Sequence, residues 1–321
     1  MNQGENGNLR KVTLFFVISR IGFTIGNILS SHNQRFMILF PYAKINLGLD
    51  ILRKRPDSYH DLATLFLPTD WCDILELLAG AHITETSLTV TGNRVDCPPE
   101  KNLVMKAYRA MQQLYDLPPV EIHLQKVIPD GAGLGGGSAD AAFTIKGLNE
   151  LFSLGLSPEE LSAIAAGIGA DCPYFIYGGA MMASDTGTIL TPFDIDSVDA
   201  PLRDCTLVIV KPSVSMPTAQ AYAGVTPCEP DVDLAERLRI PVSEWQSAIV
   251  NDFETSVFKA LPQVKDIKTR LTDMGAIYAS MSGSGTAVYA LFNEEMPRDI
   301  LAEQVRDAFK GCAIHVGKVS F

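Results

Sequence analysis

The segment Ile128-Pro129-Asp130-Gly131-Ala132-Gly133-Leu134-Gly135-Gly136-Gly137-Ser138 places five glycines in seven positions, directly ahead of an alanine-rich apolar helix pattern. Glycine lets the backbone turn through positive φ and lets a ligand approach the main chain closely. Ahead of a helix, such a loop offers free N–H groups and the positive end of the helix dipole to an anion, so its chemistry is phosphate binding. Gly131-Ala132-Gly133-Leu134-Gly135-Gly136 also satisfies the G-x-G-x-x-G dinucleotide pattern. That pattern needs a βαβ unit whose second strand ends in an acidic residue. Here the helix pattern of Ala141, Ala142, Ile145, Leu148, Leu151 and Phe152 runs into Ser157-Pro158-Glu159-Glu160, a serine N-cap with proline at the first helical position and a capping-box glutamate. A second helix stands where the strand is required, which argues against a dinucleotide-binding oxidoreductase. No Gly-Lys-Ser/Thr closes the loop, so it is not a Walker A motif either.

Four further segments carry reactive side chains. In Pro41-Tyr42-Ala43-Lys44-Ile45-Asn46-Leu47, Lys44 shares one strand face with Tyr42 and Asn46. A lysine in so apolar a stretch is costly to bury without a partner. Asp57-Ser58-Tyr59-His60-Asp61 forms a turn between strands, and Gly167-Ile168-Gly169-Ala170-Asp171-Cys172-Pro173 presents an aspartate just before a proline. Taken alone, Asp171 could simply cap or turn the chain. Ser282-Gly283-Ser284-Gly285-Thr286 is a second tight loop, either an ordinary turn or a phosphate contact.

The elements that must position these residues form a mixed α+β chain. Residues 37–52 read as one long strand, 62–66, 73–78, 87–90 and 120–127 as further strands, and 102–115 as a helix. Two helices follow the glycine loop, then a hairpin at 180–190 and a strand at 206–210. Residues 227–241 are acidic and proline-bearing and read as an exposed connection. The chain closes with helices over 253–274, a strand pair around the Ser-Gly-Ser-Gly turn, a helix at 298–309 and a strand at 313–319. At 321 residues and 47% hydrophobic, the chain can bury a large core and its length suggests two domains. A net charge of −11 argues against general nucleic-acid binding. It does not oppose a phosphate ligand, because dipoles and a few lysines reverse the field locally. The six scattered cysteines, with no Cys-x-x-Cys pair, suit reduced thiols in a cytoplasm and offer no zinc site.

Residues 1–36 stand apart. An apolar run over 12–29 is broken by Arg20, which costs roughly 2.5–3.5 kcal/mol at a membrane centre. No small-x-small cleavage site follows it, so neither a membrane anchor nor a signal peptide is expected. The hypothesis is that Met37 is the natural start and that 1–36 is an extension, not native or disordered. A native intact mass retaining residues 12–29 would sink it.

Taken together, the order Ala43-Lys44-Ile45-Asn46-Leu47, the Gly-Leu-Gly-Gly-Gly-Ser loop and Ser282-Gly283-Ser284-Gly285 resembles the GHMP kinases, which phosphorylate small-molecule alcohols. The resemblance spans residue 37 to the C-terminus. Within it, Arg55-Pro56-Asp57-Ser58-Tyr59-His60-Asp61-Leu62, Gly169-Ala170-Asp171-Cys172-Pro173 and Val208-Ile209-Val210-Lys211-Pro212-Ser213-Val214-Ser215-Met216-Pro217-Thr218 are similar to one branch. That branch phosphorylates the 2-hydroxyl of a cytidine diphosphate derivative of methylerythritol in non-mevalonate isoprenoid synthesis. The chain departs from the family's pattern at Ser58, usually glycine, and at Cys172, usually valine. A serine at a turn that needs positive φ would cost ~1 kcal/mol of strain.

The resemblance implies a two-lobed fold. Its N-terminal lobe is like domain 2 of ribosomal protein S5, spanning 37–183, and its C-terminal lobe is ferredoxin-like, spanning 184–321. It implies ATP and Mg²⁺, a small-molecule partner, no nucleic acid or membrane, and a cytoplasmic monomer or homodimer. By the same analogy Asp171 takes the proton of the acceptor hydroxyl or orients it, and Lys44 stabilises the transferring phosphoryl. Residues Pro129, Asp130, Gly131, Ala132, Gly133, Leu134, Gly135, Gly136, Gly137 and Ser138 wrap the phosphates, Ser138 also being a Mg²⁺ candidate. Asn102 and Lys126 lie near the nucleotide base. Tyr59 and Tyr222 sandwich the cytosine, His60 reads its polar edge, and Asn46 contacts substrate. The alternative is another GHMP kinase, acting on mevalonate, homoserine or a sugar, which would not need the Tyr59-His60 turn.

Overall fold

The computed structural model describes residues 16–18, 23–25, 35–95, 97–198, 202–293 and 295–320. Most of the 1–36 extension therefore lies outside the described residues. Two short strands are described within it, β1 (Phe16–Ile18) and β2 (Phe23–Ile25), paired to each other and through β2 to β3 (Arg35–Leu39).

The stretch expected as one long strand is two, because Pro41 interrupts it. Proline removes a ladder donor, and the Pro41 carbonyl instead accepts from Asp73 N–H at 2.8 Å. After the break the chain changes sheets. β3 pairs with β6 (Ile74–Ala79), whereas β4 (Tyr42–Lys54) pairs with β5 (His60–Cys72). The first sheet continues through β7 (Ser87–Gly92) and β8 (Val120–Lys126) in the order β1-β2-β3-β6-β8-β7. Helices α1 (Leu103–Tyr115) and α2 (Gly136–Leu151) pack on it, burying Val104, Tyr108, Ala142, Ile145 and Leu148 against Leu75, Leu77 and Ile122. The helix expected after the glycine loop is followed by a second, α3 (Pro158–Ala166), closed by the expected capping box of Ser157 and Glu160. A short α4 (Cys172–Tyr177) leads into the hairpin β9 (Met181–Ser184) and β10 (Ile189–Pro192). This hairpin joins the second sheet, order β10-β9-β5-β4, and so carries the first lobe's pairing past the boundary expected at 183/184.

The second lobe runs β11 (Thr206–Lys211), α5 (Thr218–Ala223), α6 (Leu234–Arg237), α7 (Trp245–Ala248), α8 (Phe253–Ala260), α9 (Pro262–Asp273), β12 (Tyr278–Met281), β13 (Val288–Phe292), α10 (Arg298–Ala308) and β14 (Ala313–Gly317). Its antiparallel sheet has the order β12-β13-β11-β14, the β-α-β-β-α-β arrangement of a ferredoxin-like lobe. The segment expected to be an exposed connection, 227–241, is exposed over 228–233, whereas its second half packs on β4. Leu234 and Leu238 are buried there, and Arg237 pairs with the buried Asp50. Burying two leucines outweighs the segment's acidic composition, at about 1.5–3 kcal/mol each.

The lobes share a core in which Ile45, Leu47 and Leu67 of the β4–β5 hairpin meet Ile209, Trp245 and Tyr289. Isolated bridges Leu49–Asn251 and Thr69–Val319 and the Tyr289 hydroxyl donating to Asn46 O (2.8 Å) tie one lobe to the other. No helix among the described residues is long and apolar enough to cross a membrane.

Candidate active site

Lys44 sits in the middle of that junction, 4% exposed. Its ammonium donates to Asn46 Oδ1 at 2.5 Å, lies 4.9 Å from the centre of the Phe66 ring and is 3.8 Å from Asp171 Oδ2. Asp171 occupies the N-cap of α4, yet its carboxylate makes no capping bond and its side chain is 40% exposed. It is thus free of the local duty that its sequence position allowed. Burial pushes the Lys44 ammonium below its ordinary value, and the Asp171 charge pulls partly back. With Lys44 required in its charged form, kcat/KM falls with rising pH along a limb below the ordinary lysine value. The residual activity of Lys44→Arg should lack that limb; a pH profile in which the limb persists rules Lys44 out as its source.

The glycine loop is stitched between the two lobes. Leu134 O accepts from Lys44 N (2.9 Å), Ala132 O from Ala287 N (3.1 Å) and Gly133 O from the Ser282 hydroxyl (2.8 Å). Gly133, at φ 74°, could not be another residue: a Cβ there would stand 2.0 Å from Ser282 O. Beyond the loop, α2 starts from Gly135 and points its N-terminus into a cavity of about 300 Å³. Every residue from 129 to 138 lines this cavity, with Leu103, Asp171, Met216, Thr218, Ser284 and Gly285. Of the two readings open for the Ser-Gly-Ser-Gly loop, the structure places its second half on the cavity. Ser138 also meets Cys172, whose thiol burial pushes up to about 11. The cysteine thus gives Ser138 a polar neighbour that valine would not.

Two more cavities flank this one. On one side, Leu88, Val90, Gly92, Asn93, Pro99 and Asn102 line a space of about 330 Å³. It adjoins the first at the start of α1, where consecutive residues Asn102 and Leu103 face one cavity each. On the other side, Lys54, Ser58, Tyr59, His60, Thr186, Tyr222 and Pro227 are among the residues lining a space of about 570 Å³. Thr218 lines both this space and the central cavity. The Tyr222 phenol is raised by burial and then by the Asp171 charge. Register shifts at Tyr42/Lys44, Leu47/Leu49 and Ile51/Arg53 bend the long β4–β5 hairpin, and its tip closes over α5.

The tip differs from the expected sandwich. Tyr222 is stacked on His60, with centroids 4.7 Å apart and planes at 19°, and its edge meets Phe253. Tyr59 stands 66% exposed. The imidazole therefore holds the Tyr222 face expected for a base. Ser58 does adopt the left-handed conformation, φ 71°. Ser58→Gly should raise stability by about 0.5–1 kcal/mol, the relieved strain less the backbone freedom that glycine adds to the unfolded chain. Urea melts check it; an unchanged or lowered midpoint contradicts it.

Other expected site residues are engaged elsewhere. Asn46 is 2% exposed, between Lys44, Thr64 (3.0 Å) and Ser282, so it orients the lysine and lines none of these cavities. Lys126 is buried between Asp73 and Asp140 under the glycine loop. Asn102 caps α1 through Val104 N (2.9 Å) while lining the outer cavity. Sequence reasoning missed Thr218, whose segment was quoted but whose contact depends on α5 docking. It also missed two braces, for which no local signal exists. Lys211 donates to Pro212 O and Val214 O (2.7 and 2.8 Å), and Asn251 to Met281 O and Gly283 O (2.7 and 2.9 Å). Among the described residues no cluster of three His, Cys, Asp or Glu side chains could hold a metal.

Comparison with known proteins matches this architecture. Residues 102–179 match the GHMP kinases N terminal domain and residues 238–311 the GHMP kinases C terminal domain. The 4-diphosphocytidyl-2-C-methyl-D-erythritol kinase of Parabacteroides distasonis is 48% identical over 88% of this chain and 100% of its own. A crystal structure of 4-(cytidine 5'-diphospho)-2C-methyl-D-erythritol kinase superposes with a TM-score of 0.73 at 29% identity, covering 89% of this chain and 100% of that one. The mevalonate kinase of Methanococcus jannaschii, at TM-score 0.62 and 15% identity over 91% of this chain and 99% of its own, shares the fold.

Proposed function

Because the chain belongs to the 4-diphosphocytidyl-2-C-methyl-D-erythritol kinases of the GHMP kinase family, we infer that it transfers the γ-phosphoryl of ATP to the 2-hydroxyl of 4-diphosphocytidyl-2-C-methyl-D-erythritol. The products are the 2-phosphate and ADP, within isoprenoid precursor synthesis. The observation that carries this reading is the row of three adjoining cavities with Lys44 and Asp171 at its centre.

The outer cavity at Asn102 takes the adenine, and the glycine loop with the N-terminus of α2 takes the phosphates. The largest cavity takes the cytidine end, among Tyr59, His60 and Tyr222. Asp171 accepts the proton of the 2-hydroxyl or orients it, and Lys44 offsets charge on the transferring phosphoryl. Phosphoryl transfer through a loose transition state depends mainly on such positioning and electrostatics. Mg²⁺ accompanies ATP and supplies charge neutralisation on its phosphates. Ser138 and Asp171, facing one cavity, fit a cation that keeps most of its ligands as water and phosphate. Lys126 acts on the nucleotide from below the loop, as part of its support. We place the reaction in the cytoplasm, where six cysteines outside any disulfide persist in reduced form.

An ADP-release assay with the cytidine substrate, against mevalonate and homoserine, tests the assignment. Turnover confined to the cytidine substrate is expected; equal or faster turnover of either control overturns it.

A further inference from the structure

The turn that carries Tyr59 and His60 closes on itself through local bonds. Arg55 N donates to Tyr59 O (2.8 Å), Ser58 N to Arg55 O (3.1 Å) and Tyr59 N to Asp57 Oδ1 (3.0 Å). These bonds shape the turn but do not fix where it stands over Tyr222. Sheet pairing does not fix it either, since β9 pairs with β5 only from Thr64 to Phe66. Beyond that, one backbone bond, Leu62 N to Asp185 O at 2.8 Å, tethers the hairpin to the β9–β10 turn. On its other side Ile51 ties the hairpin to the second lobe, accepting from Cys228 N (2.9 Å) and donating to Asp252 Oδ2 (2.7 Å); the remaining tie to the β9–β10 turn is ionic. The Arg55 guanidinium reaches across to Asp185 while also holding Asp61 at 3.2 Å and Asp57 at 3.6 Å. Asp185 accepts from the Thr186 and Thr188 hydroxyls (3.4 and 3.3 Å). Thr186 faces the same cavity as Tyr59, His60 and Tyr222, whereas Arg55 and Asp185 do not line it.

We propose that the Arg55–Asp185 pair is a positioning device: it joins two walls of the cavity at the hairpin tip and fixes the Tyr59-His60 turn at the height that admits the nucleoside end of the alcohol substrate. The inference rests on the functional reading above. At 32% and 34% side-chain exposure the pair adds little to global stability. Its effect is to hold the tip in one place before substrate arrives, so that binding does not have to order it. Loss of the Asp185 carboxylate leaves Arg55 on Asp61 and Asp57 and Leu62 N on the residue-185 carbonyl, so the turn stays closed but loses its ionic tie.

Steady-state kinetics on the full chain test this with wild type, Asp185→Asn, Arg55→Gln and the double variant Arg55→Gln/Asp185→Asn. Asparagine tolerates the left-handed backbone of Asp185, φ 60°, so that variant removes charge without new strain. KM for the cytidine substrate, and the inhibition constant of cytidine diphosphate, should rise roughly tenfold in each single variant, the order set by ordering one or two side chains. Turnover and KM for ATP should stay within about twofold, the pattern of lost substrate binding alone. The double variant should lose no more than either single variant, since both remove the same tie. A single-variant KM equal to wild type, or a loss confined to kcat, overturns the proposal while leaving the functional reading standing. A wild-type enzyme that does not turn over the cytidine substrate overturns both.

Discussion

Asp171→Asn and Lys44→Ala are each expected to lower kcat by about 10²–10³-fold, with smaller changes in KM for either substrate. Among the described residues, Asp171 is the only carboxylate besides Asp130 that lines the central cavity, and it faces Lys44 at 3.8 Å. Asparagine keeps its shape but cannot accept the hydroxyl proton. The loss stays at the lower end of general-base effects because a loose phosphoryl transition state needs only modest base help. Alanine at 44 removes a preorganised charge that is itself buried against Phe66, where it is less screened than a charge on the surface. The double variant should lose less than the product of the two losses, since the two side chains face each other at 3.8 Å and act as one unit. Single-turnover measurements separate these effects from product release. A near-normal chemical step in either variant refutes that residue's role.

Lys126→Met is expected to cost about 3–5 kcal/mol of folding stability, read from urea unfolding. The ammonium lies between Asp73 and Asp140, all three side chains being at most 4% exposed. Asp73 further accepts from Ile128 N–H at 2.8 Å and from Val127 N–H, so it shapes the entry to the glycine loop. Without the cation two carboxylates would be buried side by side. Asp140 already shows the strain: burial lifts its pKa to about 8 against the pull of Lys126, and one of its oxygens has no partner. The sign follows from proton counting. The folded protein keeps a proton that an unfolded aspartate, at about 3.9, has released, so this group's contribution falls as pH rises from about 4 to 8. Asp140→Asn should flatten that fall while Asp73 still pairs with Lys126. Normal stability in Lys126→Met combined with a raised KM for ATP would show instead that the lysine serves the nucleotide directly.

These two results test different depths of the sequence reading. The glycine loop running into a helix, the Ser157 capping box and the second helix depend on neighbours within a few residues, and all are found where the residues put them. The left-handed Ser58 belongs with them, since the turn that demands it is local. Lys44 and Asp171 could be singled out as residues whose positions are costly or exposed, but nothing local says that they meet across 127 residues. The break at Pro41 was visible as a proline, yet what it does, sending β3 and β4 to different sheets, depends on which partners those strands find.

The glycine loop determined by itself that this protein handles phosphate, because a phosphate cradle is made by backbone geometry that glycines and a helix start dictate locally; the resemblance of that loop, the Lys44 segment and the Ser282-Gly283-Ser284-Gly285 turn to the GHMP kinases pointed to an alcohol kinase. Only the tertiary structure decided what each buried polar side chain is for. Asn46 went to Lys44, Lys126 to two aspartates, the Tyr222 face to His60 and Arg55 to Asp185. The physical reason is the cost of burying an unpaired polar group. Each such side chain takes the partner that folding brings within reach, and that partner is set by packing across the lobes, not by spacing along the chain.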